Sequence, residues 1–230
     1  MVGSSCLLAS DERWFTVGVR RAKWRDLSRH LQEVIFVQLL SVVRHVALVG
    51  AVLAAVPAAY AQIAPQRLAL CAACHGADGN SQLKGIPSLA AQPKLFLENQ
   101  LVLIREGMRD IPAMKGSLEG VSDAEITALA KYYADKTLAP VPTDKDVEVF
   151  ARGGKLAEGM RCGICHLPTY LGREQIPRLA GQREDYLLHS MQQFKNNQAV
   201  GRDSNMAASV YGVSDQDLND ISYFLARLTP

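Results

Sequence analysis

Two five-residue stretches carry the chemistry of this 230-residue chain: Cys71-Ala72-Ala73-Cys74-His75 and Cys162-Gly163-Ile164-Cys165-His166. Each reads C-x-x-C-H, the attachment signature of c-type haem. The spacing has a physical reason. Thiols three residues apart lie about one helical turn from each other, so each can form a thioether with one vinyl group of a single porphyrin. The imidazole that follows then swings beneath the iron as its proximal ligand. Two rival readings are a zinc site and a redox disulfide. Zinc needs further Cys or His at suitable spacing, and the chain has only five of each. A thioredoxin-like C-x-x-C belongs beside a βαβ pattern, and none is visible. Two covalently attached haem c groups are therefore expected.

The elements that must position these residues repeat with a period near 91 residues. Each motif is followed by Ile-Pro-x-Leu-Ala-x-Gln, at 86–92 and at 176–182. A helical stretch follows, 93–106 and 183–196. Then come Arg109-Asp110 and Arg202-Asp203, then Met114 and Met206, then Ser122-Asp123 and Ser214-Asp215. Registered detail of this kind marks an internal duplication. Ser122 with Glu125 forms a capping box, and Ser214 with Asp217 repeats the device with Asp for Glu. The terminal helices, 123–136 and 215–228, place Ile126, Leu129, Ala130 and Tyr133 on one face, and Leu218, Ile221, Phe224 (or Leu225) and Leu228 on another. No alternating strand is evident. Ala139-Pro140-Val141-Pro142 reads as a short semi-rigid linker. The expectation is an all-α chain: a leader over 1–61, one helical domain over 62–139 and a second over 140–230. A half of 80 to 90 residues is near the size where a core alone is marginal. Each is expected to wrap around its haem and to fold poorly without it.

An iron with His on one side needs a second ligand, and a Met thioether gives a six-coordinate electron carrier with raised potential. The candidates after the leader are Met108, Met114, Met160, Met191 and Met206. The repeat favours Met114 and Met206, which stand at equivalent places in loops before the capped helices. Met108 is matched by Gly201; Met160 precedes Cys162 on the wrong side of the ring; Met191 lies inside a helix, where Met usually fills a core. The iron ligands are thus expected to be His75 with Met114, and His166 with Met206. A proximal His also needs a partner for its other ring N–H. The carbonyls of Pro87 and Pro177 suit that role, the alternative being plain turn prolines. Arg109 and Arg202 are candidates to pair with haem propionates, or are solvated loop charges. His189 has no counterpart in the first half and reads as a surface residue.

Lys and Arg number 25 and Asp and Glu 23, a near balance that gives no sign of nucleic-acid binding. The apolar run over 46–59, preceded by Arg44 and closed by Ala59-Tyr60-Ala61, has the form of a secretory signal peptide cleaved after Ala61. The rival reading is an uncleaved anchor, for which the run is short. Residues 1–33, mixed in charge, read as lying upstream of the true translation start. Seven of the basic and four of the acidic residues fall in 1–61, leaving 18 against 19. Export suits the motif, because c-type haem is attached after export.

The stretches 71–81, 87–92 and 114–123 make the chain resemble the dihaem class I cytochromes c, in particular the cytochrome c4 family. The resemblance spans everything after the leader. It implies two cytochrome c-like domains related by a pseudo-twofold axis, a periplasmic location, and electron traffic with redox proteins such as a quinol-oxidising complex and a membrane-bound terminal oxidase. It also implies that any membrane association is peripheral and that no substrate is turned over. Two departures stand in the second half: Leu167 where Gly follows the motif His, and Ser204-Asn205 where Pro112 precedes Met114 in the first half. The competing function is a dihaem subunit of a periplasmic oxidoreductase, flavocytochrome c-like or a quinoprotein dehydrogenase. A dihaem peroxidase is a more distant one, since Met206 speaks against an open haem.

Overall fold

Proline at position 65 opens the helix that carries the first motif, where its missing N–H costs nothing and its fixed φ is already helical. In the computed structural model, which describes residue 33 and residues 35–44 and 63–229, the chain divides by compactness into 1–58 and 59–230. Of the first unit, residues 35–44 are helical and exposed. The apolar run of the expected signal peptide, the Ala61 cleavage point, Cys6, His30 and His45 lie outside the described residues.

The second unit is all-helical. Its elements are α1 (Pro65–His75), α2 (Lys94–Arg105), a 3₁₀ turn (Pro112–Met114), α3 (Asp123–Ala134), α4 (Val147–Gly159), α5 (Cys162–His166), α6 (Glu184–Lys195), α7 (Ser204–Val210) and α8 (Asp215–Ala226). Among the described residues there is no strand, only an isolated bridge between Arg173 and Ile176. No helix among them is long and apolar enough to cross a membrane.

Side-chain caps fix where the helices start. Ser122 accepts from the Glu125 N–H and Ser214 from the Asp217 N–H, so α3 and α8 begin at the duplicated Ser-Asp pair. Asp146 caps α4 by accepting from the N–H groups of Glu148 and Val149. Asp203 accepts from the Asn205 N–H and starts a further helix, α7. That helix corrects one expectation: Met206 lies within it, not in a loop. The first half has Pro112 at this place and forms only a 3₁₀ turn, ending at Met114.

Each half builds its own core. In the second, Leu218, Ile221 and Leu225 of α8 bury against Ala157 of α4 and Leu187, Met191 and Phe194 of α6. Gly153 allows the close α4–α8 crossing, since a Cβ there would stand 2.0 Å from the Asp220 carbonyl oxygen. The Asp220 carboxylate, nearly buried, pairs with Arg152 at 2.9 Å. In the first half, one cluster gathers Leu118, Val121, Ile126 and Leu129, and another Leu97, Ala130 and Tyr133. Cys71 packs against both, and Cys162 packs against the single core of the second half. The leading thiol of each motif therefore sits at the edge of the apolar interior, where a large apolar ring belongs.

Candidate haem-binding sites

The first motif ends a continuous helix, α1, so Cys71 is half-buried, Cys74 exposed and His75 buried. The second motif forms its own short helix, α5, set off from α4 by Arg161 at φ 58°. The outcome is the same, with Cys162 half-buried, Cys165 exposed and His166 buried. Each chain then turns at positive φ: Gly76 at 83° in the first half and Leu167 at 69° in the second. The Ser81 hydroxyl donates to the Cys74 carbonyl at 3.0 Å and anchors the loop that follows the first motif.

Both imidazoles are held from behind. His75 Nδ1 lies 2.9 Å from the Pro87 carbonyl oxygen, and His166 Nδ1 lies 2.9 Å from that of Pro177. Only a protonated Nδ1 can donate there, which leaves each Nε2 lone pair free for a metal. Burial lowers both histidine pKa values below the usual 6.5, and the carbonyl bond offsets part of that. Neutral imidazole, the ligating form, is thus favoured at pH 7. Burial raises the Cys71 and Cys162 thiols, with Arg67 pulling Cys71 the other way, so both are uncharged. Among the described residues, no group of three His, Cys, Asp or Glu side chains converges as a zinc site would require. Two thiols a helical turn apart, next to a braced imidazole with a free Nε2, fit covalent haem c.

Met114 is half-buried at the end of the 3₁₀ turn, and the Ser117 hydroxyl donates to its carbonyl at 2.6 Å. Met206 is half-buried, packs against the second core and contacts His166. The other methionines lie elsewhere: Met108 is exposed, Met160 caps α4, and Met191 is in the core. His189 is exposed.

Arg109 donates to Gln100 Oε1 and to the Tyr186 hydroxyl. Arg202 donates to the Ser190 hydroxyl at 2.6 Å and stacks on Phe194 at 4.0 Å. Burial lowers the Arg202 pKa to about 10, Tyr186 opposing and the like charge of Arg109 adding to it. Their loops meet, since a Cβ on Gly201 would stand 2.0 Å from the Met108 carbonyl oxygen. Two equivalent arginines thus converge from the two halves, and among the described residues neither has a carboxylate as a hydrogen-bond partner.

Sequence reasoning missed Gln92, Gln182 and Arg178, which join the halves. Ser88 N–H donates to Gln182 Oε1 at 2.8 Å, and Gln182 Nε2 donates back to the Ser88 carbonyl at 2.9 Å. Arg178 N–H and carbonyl make the same pair with Gln92, both at 3.0 Å. The Arg178 guanidinium, fully buried, donates to the carbonyls of Ala180 and Ala90. The signal was the Gln that closes each repeated heptad.

Two tandem helical halves, each bringing a C-x-x-C-H helix and a carbonyl-braced histidine together, define a dihaem cytochrome c. Residues 58–132 match the family model described as "Cytochrome C oxidase, cbb3-type, subunit III", and residues 150–229 match the one described as "Cytochrome c". The chain is 33% identical over 171 residues to cytochrome c4 of Pseudomonas aeruginosa, covering 70% of this chain and 85% of that one. It is 36% identical over 166 residues to a thiosulfate dehydrogenase electron acceptor of Thiomonas intermedia, covering 68% and 76%. The crystal structure of reduced recombinant cytochrome c4 from Pseudomonas stutzeri superposes with a TM-score of 0.66 at 27% identity, covering 71% of this chain and 96% of that one. The chain belongs to the cytochrome c4 family and is a dihaem electron-transfer protein.

Proposed function

We propose that the protein is a periplasmic carrier that passes single electrons between respiratory partners, from a quinol-oxidising complex toward a terminal oxidase. The observation that carries this reading is the mirrored pair of histidine–carbonyl bonds, His75 to Pro87 and His166 to Pro177, in halves joined by buried hydrogen bonds. When bound, each haem supplies a one-electron couple at its iron. The protein's part is to hold both groups without rearrangement. Cys71 and Cys74 bind one ring and Cys162 and Cys165 the other. His75 with Met114, and His166 with Met206, would be the iron ligands. Arg109 and Arg202 neutralise propionates at the meeting of the halves. The reading includes export by a leader cleaved near Ala61 and domains over 62–139 and 140–230.

The test is a haem-resolved redox titration of the exported protein, with carbon monoxide added to the reduced form. Two low-spin couples and no rapid carbon monoxide binding are expected. Rapid binding at one haem would replace the carrier with a peroxidase-like reading.

A second reading makes the chain the cytochrome subunit of a periplasmic oxidoreductase. The Thiomonas relative, whose name gives its role as the electron acceptor of a thiosulfate dehydrogenase, favours it. Isolation from the native membrane and periplasm fractions separates the two. Stoichiometric co-elution with a catalytic subunit would establish the second.

A further inference from the structure

We infer that Gln92 and Gln182 tune the proximal histidine of the half opposite their own, and so set the two haem potentials across the domain interface. The inference rests on the haem reading above. Its basis is that two hydrogen bonds fall on one peptide group. The Pro87 carbonyl that accepts from His75 and the Ser88 N–H that donates to Gln182 belong to the same planar, conjugated amide. The Pro177 carbonyl and the Arg178 N–H share another, between His166 and Gln92.

Donation from one end of an amide strengthens acceptance at the other. An N–H bound to a good acceptor shifts electron density onto its own carbonyl oxygen, and hydrogen bonds in a chain reinforce one another. A more negative Pro87 oxygen pulls harder on the His75 Nδ1 proton. The imidazole then gains basicity at Nε2, as outer partners of metal-bound histidines produce. A more basic ligand favours ferric iron. Gln182 therefore holds the potential of the first haem down, and Gln92 does the same for the second.

Burial makes the effect matter. Ser88, Gln92, Gln182 and Arg178 are 6%, 4%, 3% and 1% exposed, so water does not compete for these groups. Each glutamine is fixed by a fork, its oxygen accepting an N–H and its nitrogen donating to the carbonyl of that same residue. The oxygen of Gln182 also accepts from the Arg183 N–H at 2.9 Å. These bonds lead from each histidine to the glutamine of the other half through a single peptide group. A purely structural clasp would not need its bond on the one peptide that braces the histidine.

The experiment uses the holoprotein carrying Gln182→Leu or Gln92→Leu, with a haem-resolved redox titration and the NMR shift of each histidine Nδ1 proton. Gln182→Leu is expected to raise the reduced-to-oxidised ratio of the first haem at fixed ambient potential by about threefold, the size of a 10–30% change in bond strength. The second haem stays in place, and the His75 Nδ1 proton alone moves. Gln92→Leu gives the mirror result with His166. Unmoved potentials, or equal shifts at both haems, would overturn the inference. If the leucine variants do not assemble, Gln182→Glu carries the test. Its carboxylate keeps an acceptor for the Ser88 N–H but loses the donor to the Ser88 carbonyl, and its charge acts on both haems, so the readout is the difference between them. The first haem's potential must fall further than the second's and the His75 Nδ1 proton must move, whereas an equal fall at both, a rise or no change counts against the coupling. Mass measurement of the wild type separates the two levels. Fewer than two covalent haems removes the haem reading and the coupling with it, whereas two haems with unmoved potentials remove the coupling alone.

Discussion

Leu167 closes the second motif helix in the backbone conformation that Gly76 adopts after the first: φ 69° and ψ 155°, against φ 83° and ψ 149°. This region is almost reserved for glycine, and a side chain there costs about 1–3 kcal/mol. Pro168 pushes ψ of the preceding residue toward the observed value, but it does not set φ. The surroundings hold the strain in place: the Tyr170 N–H donates to the Leu167 carbonyl at 2.9 Å, and the Gly172 N–H to the His166 carbonyl at 3.0 Å. Leu167→Gly should relieve the strain, while a more flexible unfolded chain takes back about 0.4–1 kcal/mol. A net gain of about 1 kcal/mol is expected, visible as a rise of roughly 2–4 °C in the thermal midpoint of the holoprotein. Gly76→Ala should do the opposite, because its Cβ would stand 2.7 Å from the Asn80 carbonyl oxygen.

The repeat exchanges an aromatic ring between two positions. Gly79 and Tyr170 are equivalent, and each carbonyl accepts two N–H groups, from Leu89 and Ala90 or from Leu179 and Ala180. Tyr133 and Leu225 are also equivalent, accepting from the N–H of Ala91 and of Gly181. In the first half the ring comes from α3 and stands 2.8 Å from where a Gly79 Cβ would be. In the second it comes from the loop, and Tyr170 meets Phe224 edge-on at 5.8 Å. Gly79→Tyr alone should destabilise by about 3 kcal/mol through overpacking. Adding Tyr133→Leu should recover part of that, with a coupling of about 0.5–3 kcal/mol in a denaturation double-mutant cycle. Additive costs would show that the exchange is not compensatory.

Met114→Ala and Met206→Ala should each remove the sulfur-to-iron charge-transfer band of one haem. The potential of that haem should fall by on the order of 0.1 V, within the roughly 0.8 V that axial ligands span. Absorption spectra of the oxidised variants, with titrations, check this. A variant that keeps both bands shows its methionine not to be a ligand.

Asp185 ties α6 of the second half to the first, accepting from the Gly85 N–H at 2.9 Å while Arg183 grips the same carboxylate. Burial alone would raise its pKa. The Arg183 bond, the Gly85 N–H, the Arg183 charge and the Tyr186 N–H together outweigh it, so the carboxyl titrates below its usual 3.8. A lowered folded-state value means that the stabilisation is complete above about pH 3.8 and is lost as pH falls through the folded pKa. Asp185→Asn should cost about 1 kcal/mol at pH 7, and the gap to wild type should close in acid below that point. Urea unfolding across pH measures the gap; one that persists at the acid end would remove the assignment.

The motifs, the duplication and the capped helices could be read from the chain because each is local. A C-x-x-C-H places its thiols by helical pitch alone, and Ser122 or Ser214 caps its helix with a partner three residues away. Met206 in α7 was less legible. The preference of Asp203 for capping competes with a loop, and the repeat with Pro112 suggested the wrong winner. The strained φ of Leu167 was legible only in part: the repeat sets it where Gly76 follows the first motif, but nothing local shows that the leucine keeps the glycine's conformation rather than rearranging the turn. The face-to-face bonding of Gln92 with Arg178 and Gln182 with Ser88, at separations of 86 and 94 residues, was beyond sequence reading altogether. Such a pairing needs both halves folded and apposed before either amide can find its partner. The sequence determined where the two C-x-x-C-H motifs fall and that their surroundings repeat, because both are local patterns; the tertiary structure decided how the two halves lean on each other.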